Sequence, residues 1–139
     1  MKLQESGEMY LKTILRLSLQ QSSVRSIDIS EFMGFSKPSV SRAVSILKES
    51  GYITIHEDKS ITLTEEGRKI ATHLYERQVV LSYMLRKMGV DEETAYEDAC
   101  RMEHIVSDES FEHIKQYLNI ADEDIVLSAD PKTGLLKAD

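Results

Sequence analysis

Met9, Leu11, Ile14, Leu15 and Leu17 recur at helical rather than alternating spacing, which predicts a helix over residues 3–19. The small polar stretch QQSSVRS ends it. SIDISEFMGFS then predicts a short helix capped by Ser26 and closing near Gly34. Ser36 is a suitable N-cap for the next helix. Lys37 and Pro38 fall in its first turn, where a missing N–H costs little. Val40, Val44 and Leu47 share its apolar face, and Gly51 ends it. YITI and ITLT, separated by HEDKS, are rich in β-branched residues and predict a hairpin. Thr64 caps a long helix reaching Gly89. Asp91 starts another, which the pattern carries through EETAYEDACRMEHIVS, and a third follows a break near Asp108. From Ile120 onward the pattern fades, and SADPKTGLLKAD reads as a loosely attached tail.

Composition bounds this outline. The 139 residues are 41 % apolar and 29 % charged, ordinary for a globular protein of one domain or two small ones. No run approaches the roughly 18 apolar residues of a membrane span, and the first twenty residues lack a signal peptide's apolar core. The single cysteine cannot form an internal disulfide, so a reducing, cytoplasmic setting is expected. The net charge of −7 is unevenly spread. Residues 1–77 hold 11 basic and 10 acidic side chains, whereas residues 78–139 hold 6 and 14. A nearly neutral first part can carry a basic face, and an acidic second part can serve cations or solubility.

Two short helices, a tight turn and a hairpin follow the order of a winged helix-turn-helix. The reading helix is then residues 37–50. Ser36, Ser39, Ser41 and Arg42 gather at its N-terminal end, where the dipole and free N–H groups favour phosphate. Lys37 and Pro38 share that turn. Short hydroxyl side chains permit close approach to a groove, and Arg42 can reach a base edge. Lys48, Lys59 at the wing tip and Arg25 before the second helix suit backbone phosphates. His56 in the wing reads as a solvated loop residue.

The second part carries Cys100, Glu103 and His104. On one helix these spacings place all three within a sector of about 60°. Thiolate, carboxylate and imidazole together suit a first-row transition metal better than Mg²⁺ or Ca²⁺. The same residues also admit a buried core cysteine beside two surface groups.

The whole pattern resembles the diphtheria-toxin-repressor family of metal-dependent transcription regulators. The likeness spans about residues 3–118 through EMYLKTI, SKPSVSRAV, LTEEGRKIA and DACRMEHIVSDE. It implies a mainly α protein: a winged helix-turn-helix DNA-binding domain with a two-stranded wing over 1–72, then a helical metal-binding and dimerisation domain over 73–139. It also implies that Met9 joins Cys100, Glu103 and His104 around the principal metal, with the Cys100 carbonyl or a water completing the shell. The family's manganese-responsive branch has a carboxylate where Lys12 stands, so its two-metal cluster is not expected. The ancillary ligand positions fall on Gln78, Ser82 and Tyr96, which are weak donors. His73 and His113 match no ligand. The chain resembles the short form without an SH3-like domain.

The function expected from this resemblance is a homodimeric repressor that reads palindromic double-stranded DNA when Fe²⁺ is abundant. Mn²⁺ is the other candidate, and Co²⁺, Ni²⁺ or Zn²⁺ are substitutes in vitro. Val80, Leu81, Met84, Leu85, Ile105 and Val106 are candidates for the dimer contact. Two rivals stand beside it: a winged-helix regulator switched by oxidation of Cys100, and a small hydrolase using Cys100 as nucleophile with His104 as base.

Overall fold

The computed structural model describes residues 4–127. The chain divides into two compact units at His73–Leu74. The first unit contains α1 (Glu5–Gln20), α2 (Ser26–Met33), α3 (Lys37–Glu49), β1 (Ile53–Ile55) and β2 (Ile61–Leu63). The helix α4 (Glu65–Lys87) begins in the first unit and continues into the second. There follow α5 (Glu92–Met102), α6 (Asp108–Tyr117) and a 3-10 turn, Asp122–Asp124.

In the first unit the apolar stripes meet as their periodicity requires. Leu11, Ile14 and Leu15 of α1, Ile29 of α2, and Val40, Val44 and Leu47 of α3 are all buried. β1 and β2 pair antiparallel, with Ile53 opposite Leu63, Thr54 opposite Thr62 and Ile55 opposite Ile61. The period of two places the apolar residues on one face, where Ile53 and Ile61 are buried, and leaves both threonines exposed. Gly67 at the start of α4 is buried against Tyr52. A Cβ there would collide with the Tyr52 carbonyl oxygen and lie 3.0 Å from its carbon.

The caps follow the sequence with one correction. The Ser36 hydroxyl accepts from the Ser39 N–H at 3.3 Å, Thr64 caps α4 through the Gly67 N–H at 3.2 Å, and Asp91 accepts from the Glu93 N–H at 3.1 Å. Ser26, however, is the first residue of α2 rather than its cap. Arg25 occupies the cap position, and its N–H donates to the Asp28 carboxylate at 2.8 Å. An acid three residues into the helix replaces a hydroxyl at its start.

In the second unit Leu74, Tyr75, Val79, Val80, Leu81, Ala95, Ala99 and Phe111 are buried. α5 ends at Met102, five residues before the sequence pattern ends it. The Ile105 and Val106 N–H groups both bond the Met102 carbonyl at 3.1 Å, closing a turn instead of continuing the helix. Two β-branched residues in succession are weak helix formers. Ser107 then caps α6 through the Ser110 N–H at 3.1 Å. The chain stays fastened past Ile120. That residue is buried, and the Lys115 ammonium donates to Asp122 at 2.5 Å in the 3-10 turn. The rest of the expected tail, residues 128–139, lies outside the described residues. No helix among the described residues is long and apolar enough to cross a membrane.

Candidate DNA interface and metal centre

α3 differs from the other α-helices at its N-terminus. Each of α1, α2, α4, α5 and α6 carries acidic residues in its first turn, but α3 carries none and begins with Lys37. Acids elsewhere offset the positive end of the dipole. At α3 that end stays available to an external anion. Ser36, Lys37, Pro38, Ser39, Ser41, Arg42 and Lys48 are all exposed, while Val40, Val44 and Leu47 are buried. The Ser36 hydroxyl is already engaged, bonding the Ser39 hydroxyl at 2.9 Å as well as its N–H. These bonds shape the helix start.

The wing turn has its own geometry. Lys59 sits at the tip with φ +72°, a left-handed conformation uncommon for lysine. The neighbouring Asp58 carboxylate accepts from the Ser60 hydroxyl at 2.6 Å and the Ser60 N–H at 3.0 Å. These bonds hold its carboxyl below the ordinary aspartate range, with smaller help from the positive charge of Arg25 and from His56. The His56 ring pairs with the Thr62 hydroxyl at 2.9 Å across the hairpin. Arg25 is exposed.

The metal residues are placed differently. Glu103 is 1 % exposed, and the His104 side chain is 3 % exposed. His104 Nε2 lies 3.4 Å from Glu103 Oε1. Glu103 still belongs to the helical spiral, since its N–H bonds the Ala99 carbonyl at 3.0 Å, but His104 falls in the turn. Cys100 is half-buried on α5, one helical turn earlier. Among the described residues no three His, Cys, Asp or Glu side chains are gathered in a metal-holding cluster. The structure thus brings Glu103 and His104 together without closing Cys100 onto them. Met9 belongs to the first unit and is half-buried on α1.

This donor set fits a divalent transition ion. A carboxylate removed from water is costly without compensating positive charge, and here it lies beside an imidazole nitrogen of intermediate softness. The weak ancillary positions Gln78 and Ser82 are both buried. His73 and His113 are exposed.

Arg77 is the residue that sequence reasoning missed. It is buried on α4 and binds the Val106 carbonyl and the Asp108 carboxylate. The available signal was an arginine flanked by Leu74, Tyr75, Val79, Val80 and Leu81.

A winged helix with an anion-receptive reading helix, followed by a helical unit, is the arrangement of a DNA-binding regulator. Two family descriptions match in that order: "Iron dependent repressor, N-terminal DNA binding domain" over residues 2–61, and "Iron dependent repressor, metal binding and dimerisation domain" over residues 64–129. The chain belongs to the iron-dependent repressor family of metal-dependent transcription regulators. It is 31 % identical over 118 residues to the transcriptional regulator MntR of Lysinibacillus sphaericus (strain C3-41), covering 85 % of each chain. It is 32 % identical over 106 residues to the diphtheria toxin repressor of Corynebacterium diphtheriae, covering 76 % of this chain and 47 % of that one. It therefore spans about half of that longer relative. Among solved structures, the manganese regulator SloR superposes with a TM-score of 0.73 at 27 % identity, covering 86 % of this chain and 55 % of that one. These relatives are transcriptional regulators and not enzymes, so neither the hydrolase nor the thiol-redox reading of Cys100 gains support.

Proposed function

We propose that the protein is a cytoplasmic homodimeric repressor of metal-homeostasis genes, active on palindromic DNA when it holds Fe²⁺, with Mn²⁺ the second candidate. The observation that carries this reading is the buried Glu103–His104 pair, 3.4 Å apart, in the half matched to metal binding and dimerisation. Met9 would offer a thioether sulfur, Cys100 a thiolate, Glu103 a carboxylate oxygen and His104 a ring nitrogen. A bound divalent ion would place positive charge beside this donor set. Metal binding that favours the DNA-competent state would couple metal to DNA affinity. Such coupling acts by linkage, and shifts of about 1–3 kcal/mol, roughly 5- to 150-fold in affinity, are typical.

On the DNA side, Ser39, Ser41 and Arg42 face base edges, Lys37 and Pro38 hold the helix start close to the groove, and Arg25, Lys48 and Lys59 contact phosphates. Val80 and Leu81 are fully buried within the protomer, so they drop out as dimer contacts. Ile105, which is 79 % exposed, together with Met84, Leu85 and Val106, remains available. The test begins with anaerobic selection of binding sites from random duplex DNA. The selected site is then titrated with and without Fe²⁺, using wild type and His104→Ala. Gating requires that Fe²⁺ tighten only wild-type binding. Equal affinity in all four titrations rejects it.

A further inference from the structure

The second unit buries a cation that the repressor reading leaves unused. Arg77 on α4 is 4 % exposed. Arginine keeps its charge at any ordinary pH, so its burial requires directed partners in place of water. Those partners lie on one short segment. One Nη donates to the Val106 carbonyl and the other to the Asp108 carboxylate. The guanidinium also lies over the Phe111 ring, 5.1 Å from its centroid.

Val106 comes two residues after His104, and Asp108 opens α6. The turn carrying both buried donor side chains is therefore fastened twice. At its start, the Glu103 N–H bonds Ala99 of α5. At its end, Arg77 grips the backbone at Val106 and the first residue of α6. The fork geometry of a guanidinium can hold two acceptors in fixed directions, which a lysine ammonium cannot reproduce.

We propose that Arg77 is a positioning residue for metal binding: its fork fixes the 103–108 turn so that Glu103 and His104 present their donor atoms together. The proposal rests on reading those two residues as metal ligands. Groups that hold ligands in place typically cost 10- to 100-fold in metal affinity when altered. Arg77 acts through backbone, so a loss of about tenfold is expected for Arg77→Lys.

The experiment uses the full chain and Co²⁺ as the only added ligand. Affinity and the thiolate-to-cobalt absorption band are recorded together with thermal melting of the metal-free protein. Lys115→Met is the control. Lys115 is buried in α6 and bonds Asp122 and Glu112; it shares the Phe111 ring with Arg77 but holds neither Val106 nor Asp108. The expected result is weaker Co²⁺ binding and an altered band for Arg77→Lys, with wild-type affinity and band for Lys115→Met even where its melting falls. Wild-type affinity and spectrum in Arg77→Lys would overturn the proposal, as would an equal loss in Lys115→Met. Should Arg77→Lys fail to fold, Asp108→Asn decides. It must weaken Co²⁺ in the same direction, and wild-type behaviour there also overturns the proposal. Failure of wild type itself to bind Co²⁺ overturns the ligand reading along with this one, which separates the two failures.

Discussion

The two halves of this chain solve opposite problems. The first hides its apolar residues and leaves its working side chains in water: Ser39, Ser41, Arg42 and Lys48 are exposed while Val40, Val44 and Leu47 of the same helix are buried. The second puts polar and charged groups inside. Arg77, Gln78, Ser82, Glu103, Lys115 and Asp124 are all buried there. A surface that reads a polyanion can be edited with little effect on folding. An interior that buries charged and polar groups cannot, because each depends on its partners. The difference sets where substitutions should hurt.

The largest effect is expected at Glu103. A ligand that binds only the native state at about a hundred times its Kd adds about 2.7 kcal/mol of stability. Wild type melted with Mn²⁺, or anaerobically with Fe²⁺, should show a rise of that order over the protein in chelator. Glu103→Gln, nearly isosteric but without the charge, should show almost none. A full metal-dependent rise in the variant would make Glu103 a structural residue and end the contrast between the halves.

Gly67→Ala asks whether the outward-facing half is as tolerant inside as on its surface. The added methyl meets the Tyr52 backbone, whose carbonyl accepts the Thr64 N–H at 3.0 Å at the base of the wing. Backbone cannot yield as a flexible side chain can, and overpacking of this kind costs about 1–3 kcal/mol. Urea unfolding should show the loss. An unchanged midpoint would mean that the wing moves freely against α4.

Arg42→Ala should separate function from folding. A base-reading arginine is worth about 1–3 kcal/mol of specific binding, whereas an exposed helix position changes stability by about 0.5 kcal/mol or less. Lys48→Ala should weaken selected and random duplexes alike and lower the salt dependence by about one counterion. A loss of specificity at Lys48, or none at Arg42, would reverse their roles on α3.

This asymmetry also decides what the sequence could disclose. In the first half class and location agree at most positions, though not at buried Lys12 or exposed Phe32 and Phe35, so Ser36 as cap, Val40 and Leu47 as core, and the Ile–Thr–Ile alternation of the wing could all be read directly. In the second half they conflict. Glu103, Arg77 and Lys115 look like surface residues and are buried, Arg77 against a partner distant in sequence. Arg77 meets Asp108 across 31 positions, which no local periodicity reports. The premature end of α5 was hidden for a related reason. The helical spacing from Cys100 to His104 fits the motif, yet the Ile105–Val106 pair and the Ser107 cap turn the chain just there. Arg25 at the cap of α2 was obscured because the acid that completes that cap, Asp28, lies inside the helix.

The smallest effect tests whether the first half uses charge for shape as well as for reading. Asp58 is fully exposed, yet its carboxyl sits below the ordinary aspartate range because it accepts two bonds from Ser60. A carboxyl lowered on folding contributes stability at pH values above its unfolded pKa, and the contribution disappears as pH falls through the lower folded value. The wing turn should therefore persist at a pH where a free aspartate, at about 3.9, is half protonated, and open only below it. An NMR titration following the Ser60 amide and the Asp58 carboxyl reads this directly. The two should move together at a midpoint under that of a free aspartate, and Asp58→Asn should remove the transition. Lys59 depends on that turn, since its left-handed φ of +72° lies between the two residues the bonds join. A midpoint at or above the ordinary value would show that Asp58 does not hold the turn, leaving the position of Lys59 to the hairpin register alone.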